Sequence, residues 1–228
     1  MSSVLANDEM LIKIKLVEDK IEVALWNAVR DEDYQQELDA YKDAREMLVS
    51  LTDLPLDLEK ERNRVLSYCL MRMDNTLVSI GETKGSVRRM REALEIAHKS
   101  ESLLQITRCS LALGARLASA GLFEEAEDCW NQVLAEAEGH TEIDVQQVVG
   151  WTLITKGHFL NLRGQVKDAL EIVKQAETLS ETIGNWAGVA KANELMVEIY
   201  SRLNDEFNEQ KCRKKSREYL ERAKTEEK

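Results

Sequence analysis

One short pattern recurs along this chain and narrows its architecture more than any other feature. A glycine is followed, at helical spacing, by an aromatic or branched residue, a small alanine and a bulky residue. The pattern is clearest in Gly121, Phe123, Ala126, Trp130 and Val133, and it returns in Gly164, Val166, Ala169, Val173 and Ala176. Residues at these intervals share one face of an α-helix. When such a face recurs after the length of a helical pair, each pair can bury it only against its neighbours, and stacked hairpins result.

Little in the chain interrupts helix. It has 228 residues with one proline, Pro55, and ten glycines. Ala, Leu, Glu, Lys and Arg dominate, and no alternating run of Val, Ile and Thr suggests a strand. Ten helices are predicted. The first two cover about Asn7 to Arg30 and Asp33 to Leu51, and Asp57 is expected to cap a third that reaches Ser79. Gly85 precedes a fourth to Lys99; Glu101 to Ser119 and Phe123 to Glu136 follow. Thr141 with Asp144 has the look of a cap for a seventh to Arg163. An eighth ends near Gly184, and Trp186 to Leu203 and Glu206 to Ala223 complete the set. Short turns between them predict antiparallel neighbours. The chain reads as one domain over 1–228, with an atypical hairpin in 1–52 and repeats in 57–100, 101–138 and 141–183. A capping hairpin in 185–223 closes it, and the charged and polar residues 224–228 are expected to fray.

The repeat residues resemble those of the tetratricopeptide family. The third hairpin carries Leu113, Gly114 and Leu117 on its first helix, then Gly121, Phe123, Ala126, Trp130 and Val133. The fourth carries Gly157, Leu160, Gly164, Val166, Ala169, Val173 and Ala176, with Lys156 where that family has leucine. The second offers Gly85, Val87, Met90, Leu94 and Ala97. In the first, Tyr34, Tyr41 and Ala44 fit, but Glu37 stands where a small alanine belongs and Glu32 where the turn glycine belongs. The fifth supplies Tyr200, and the stretch from Asn204 to Gln210 is expected to disturb its turn before Ser216, Leu220 and Ala223. The intervals from 85 to 121, 121 to 164 and 164 to 204 are unequal and exceed the usual ~34 residues, as in divergent members. The resemblance implies an all-α fold, an α-solenoid wound as a right-handed superhelix of about five antiparallel hairpins.

The resemblance also implies a concave face lined by the first helix of each hairpin. Its expected lining is Arg72, Asn75, Thr76 and Ser79, then Arg108, Leu111, Ala115 and Ala118, then Trp151, Ile154, His158 and Asn161, and last Glu194, Glu198 and Arg202. A small, apolar centre beside Trp151 suits an apolar peptide segment or a partner helix. The family's site for carboxylate-rich chain ends needs Lys, Asn and Arg where this chain has Leu111, Ala115, Ile154 and His158, so acidic tails of that sort are not expected partners.

Other chemistry finds little support. The net charge of −11 disfavours nucleic acid and anionic membranes, and the basic run Lys211, Arg213, Lys214, Lys215 and Arg217 reads as a solvated face. The amino terminus lacks a signal-peptide pattern, and no stretch approaches ~20 uninterrupted apolar residues. Cys69, Cys109, Cys129 and Cys212 form no Cys-x-x-Cys pair and read as reduced thiols of a cytoplasmic protein. Glu95 and His98 form one Glu-x-x-His unit, but a di-iron bundle needs a second copy. No phosphate loop, His-x-x-x-His pair or nucleophile elbow occurs. The acidic, nine-helix phosphopeptide-binding dimers share size and charge, but their Lys-Arg-Arg-Tyr constellation cannot be placed. The expectation is therefore a non-catalytic scaffold or adaptor without cofactor or metal, whose partner is a protein or peptide. A ligand-responsive sensor and a self-associating homo-oligomer are the alternatives.

Overall fold

The computed structural model describes residues 2–31 and 33–226, with side chains from 7 to 225 except 29, 31 and 32. The expected turn at Glu32 and the last two residues lie outside the described residues. Among those described there are ten helices and no strand: α1 (Ser2–Asp31), α2 (Tyr34–Ser50), α3 (Leu56–Ser79), α4 (Ser86–Ser100), α5 (Leu103–Ser119), α6 (Phe123–Glu136), α7 (Ile143–Leu162), α8 (Val166–Thr182), α9 (Trp186–Arg202) and α10 (Glu206–Glu226). They gather into two compact units, Met1–Ala120 and Gly121–Lys228, which divide between α5 and α6. Within each unit a helix packs on its successor and on the helix after that: α1 on α2 and α3, α3 on α4 and α5, α7 on α8 and α9. That adjacency is what stacked hairpins produce.

The turns show why glycine marks the repeat. Gly121 and Gly164 have φ of 79° and 81°, in the left-handed region where a side chain is disfavoured. Asn204 takes the same conformation, with φ of 54°, as asparagine does more readily than other residues with a Cβ. Asp205 Oδ1 then accepts the Asn208 N–H at 3.1 Å, so α10 begins at once. The expected disturbance between Asn204 and Gln210 is absent because asparagine replaces the turn glycine. Two expected caps also differ. α3 opens on Pro55, whose fixed φ suits a helix start, and Asp57 lies inside its first turn. α7 opens on Glu142 with no side-chain cap, so Thr141 and Asp144 make no capping box.

Most of the pattern residues form the cores, while Phe123 stays 44% exposed at the start of α6. In the second unit Ala126, Trp130, Val133, Ala169, Val173 and Ala176 are wholly buried. Gly157 lets α7 approach α8: a Cβ there would lie 2.4 Å from Val173 Cγ2. In the first unit Tyr41, Leu48, Val65, Met90, Ala93 and Ala97 are wholly buried. Glu37, the acid standing in the small-residue position, is buried too. It accepts hydrogen bonds from Tyr41 Oη at 2.6 Å and Thr76 Oγ1 at 2.9 Å, which satisfies both carboxylate oxygens. Burial, with this carboxylate beside it, raises the Tyr41 phenol above its usual range.

A second polar centre ties α3 to α4 and α5. Asp74 is fully buried. Its Oδ1 accepts Arg89 Nε at 2.7 Å, and its Oδ2 accepts Ser86 Oγ at 2.7 Å and Arg116 Nε at 2.9 Å. Arg89 also donates to the carbonyls of Lys84 and Glu82, which fixes the turn before α4. All four cysteines are free thiols. Burial pushes the Cys69 and Cys109 thiols up to about 12, so both stay protonated and unreactive near neutral pH.

Candidate peptide-binding groove

The residues expected on one lining have different surroundings, and many are already engaged. In the first unit, Arg72 is half-buried and reaches 4.0 Å from the Glu37 carboxylate, while Thr76 is occupied by the hydrogen bond described above. Asn75 Oδ1 accepts Arg116 Nη2 at 2.6 Å. Arg108 lies 5.6 Å from the centre of the Tyr68 ring, a cation–π contact that holds its guanidinium along the helix surface. Leu111 is half-buried. These side chains support packing between α3, α5 and α2.

In the second unit, Ile154 and Asn161 are only 5% and 1% exposed. Ile154 belongs to the apolar cluster with Leu153, Val173, Leu195 and Met196, and the Asn161 carbonyl accepts Arg202 Nη1. Neither lines an open surface. Helix α7 buries residues around much of its circumference, including Val148, Thr152, Ile154, Phe159 and Asn161, and so offers only a narrow open strip. His158 is exposed and stands apart from the groove described next.

The structure does bring Trp151, Glu194 and Glu198 together. They line a groove of about 580 Å³ built by α7, α9 and α10, within the usual size of a ligand site. Its apolar surface comes from Trp151, Ala187, Ala190, Val197 and Leu220. Glu194 and Glu198, one turn apart, form an acidic wall on α9; Arg213 and Arg217, one turn apart, form a basic wall on α10. Lys191 pairs with Glu194 at 2.8 Å and Arg213 with Glu209 at 2.6 Å. Lys191 and Glu194 are both more than half exposed and so is Arg213, although Glu209 is only 22% exposed, so Glu194 and Arg213 can turn to a charged ligand at little cost.

The α10 wall escapes the repeat reading. Leu220, expected in the core, is 47% exposed because α10 instead buries Cys212. The signal that locates the wall is the spacing of Arg213, Arg217 and Leu220, which places them on one helix face. Trp186 packs at 5.6 Å on Tyr219, with the Arg222 guanidinium 3.6 Å from its ring. No group of three His, Cys, Asp or Glu that could hold a metal occurs among the described residues, and no described helix is long and apolar enough to cross a membrane.

Within each unit successive helices pack on one another, with glycine or asparagine turns and small residues at the close approaches, and the described residues form an all-α helical-repeat fold. The solved structures it resembles are repeat proteins of the tetratricopeptide type, and the fold is a divergent form of it. Aspartyl phosphate phosphatase F from Bacillus subtilis superposes with a TM-score of 0.70 at 18% identity, over 96% of this chain. The chain spans about half, 53%, of that protein's length. BtubC from P. vanneervenii gives 0.60 at 14% identity over 92% of this chain and 91% of its own. A Rap protein complexed with competence and sporulation factor gives 0.50 at 13% identity, over 90% of this chain and 75% of its own. No protein-family model and no curated protein matches the sequence.

Proposed function

We propose that this chain is a non-catalytic interaction scaffold that receives a peptide or a partner helix in the groove of α7, α9 and α10. The observation that carries this reading is the pairing of an apolar surface around Trp151 with facing walls of opposite charge, Glu194 and Glu198 against Arg213 and Arg217. An amphipathic segment buries apolar side chains against Trp151 and Leu220, and its own charges choose between the walls and set its direction. The resemblance in fold to a Rap protein complexed with competence and sporulation factor supports a peptide as the occupant. A tryptophan at the centre of such a site commonly supplies much of the binding energy.

The test begins with peptides selected by display against this chain. Their affinity for wild type and for Trp151→Ala is then compared, with folding matched by circular dichroism. The expected loss is roughly thirtyfold, about 2 kcal/mol. Unchanged affinity across the selected peptides would remove the groove from the reading.

A further inference from the structure

Helix α1 has two apolar faces, and only one is used by the first unit. Ile14, Val17, Ile21, Ala24 and Ala28 are buried against the core. On the other side Ile12, Leu16, Val23 and Trp26 are 65%, 51%, 58% and 61% exposed. Single exposed apolar residues are ordinary, but these four are not scattered. With Asp19 between them, they follow the alternating four-and-three spacing of a coiled-coil seam over about four turns of helix. A stripe with that period matches the side-chain rows of another helix.

Beside the seam the surface is concave. A groove of about 410 Å³ runs between α1 and α2, with Leu16, Val23, Ala24, Ala28 and Ala40 among its lining. The alanines leave room for the ridge of an incoming helix. Its rim is acidic. Asp19, Asp33 and Asp43 line it, and Lys20 is its one lysine or arginine. The Lys20 ammonium is directed at Met47 Sδ, 3.8 Å away, while Asp19 and Asp43 make no ion pair among the described residues. Asp33 caps α2 by accepting the Gln36 N–H.

We infer that this face docks a basic amphipathic helix of a partner protein, with apolar residues in the seam and lysines or arginines against the acidic rim. Charge complementarity selects that occupant. An acidic helix would meet three carboxylates across a short, partly desolvated distance, where like charges are repulsive. The α1 of a second copy would bring Asp19 and Glu22 to the same rim.

The experiment uses the full chain and a synthetic helical peptide of about three heptads, with leucine at the seam positions and lysine beside them. A counterpart with glutamate for lysine serves as the control. Binding is followed by the emission of Trp26, identified by its loss in Trp26→Phe. The expected result is a blue shift on adding the lysine peptide, with affinity roughly tenfold or more above that of the glutamate peptide. Leu16→Ser/Val23→Ser, at exposed positions, should lower that affinity by a similar factor. Asp19→Asn/Asp43→Asn should weaken binding and flatten its salt dependence. Equal binding by the seam variant, or equal binding of the two peptides, would overturn the inference. So would sedimentation showing that the wild-type chain self-associates and that Leu16→Ser/Val23→Ser makes it monomeric, since the seam would then belong to a second copy.

Discussion

Replacing Trp130 with alanine should lower the stability of the protein by about 3–5 kcal/mol. The indole is wholly buried and packs edge-on against the Phe159 ring at a centroid distance of 5.3 Å. Phe159 in turn contacts Phe123 at 5.4 Å and lies beneath the Arg163 guanidinium. This aromatic chain joins α6 to α7. Truncation removes the largest side chain in it, and the helix backbones on either side cannot close the void without separating their other contacts. The indole N–H makes no hydrogen bond, so Trp130→Phe removes an unpaired buried donor while leaving most of the ring. It should therefore cost well under half as much. Urea denaturation followed by circular dichroism measures both. An alanine variant as stable as wild type would mean that Trp130 does not fill the space between α6 and α7.

Asp74→Ala should be comparably damaging, at about 3–5 kcal/mol, for an electrostatic reason. The carboxylate is fully buried and is the shared acceptor of Ser86, Arg89 and Arg116. Its removal leaves two largely covered guanidinium groups, 22% and 16% exposed, without their counter-charge. Arg89 would then hold the turn before α4 through backbone carbonyls alone. Asp74→Asn preserves volume but sets an amide N–H₂ against guanidinium donors, so it should recover little. The combined change Asp74→Leu/Arg116→Met removes the charge from both sides of one pair and should cost less than the sum of its parts. Additive losses in the same urea measurement would mean that the two side chains act independently.

The cores could be read from the sequence because their rule is local. Ala126, Trp130, Val133, Ala169, Val173 and Ala176 each announce a buried helix face by spacing alone, and each is buried. Asp74 could not be read that way: an acid in the middle of an amphipathic helix looks solvated, and its partners lie 12, 15 and 42 residues further along. Glu37 was visible as a departure from the repeat, but its satisfaction by Tyr41 and Thr76 depends on a neighbouring helix. Glu194 and Glu198 could be named because α9 keeps a polar side, and Trp151 stands on the narrow open strip of α7. Ile154 and Asn161 could not be placed correctly because α7 is apolar or buried around much of its circumference and gives no phase. α10 misled for the opposite reason. Glu209, Arg213 and Ser216 occupy the pattern positions after Asn204, Cys212 is buried in their stead, and the freed face of Arg213, Arg217 and Leu220 becomes a wall of the groove.

The central claim is that α7, α9 and α10 together hold a bound segment, and hydrogen–deuterium exchange with a display-selected peptide tests it most directly. The structure leads us to expect slowed exchange in α9 and α10 along the faces of Glu194, Glu198, Arg213 and Arg217, together with quenching or a shift of Trp151 fluorescence. Protection confined to helices outside that groove, with Trp151 emission unchanged, would contradict it.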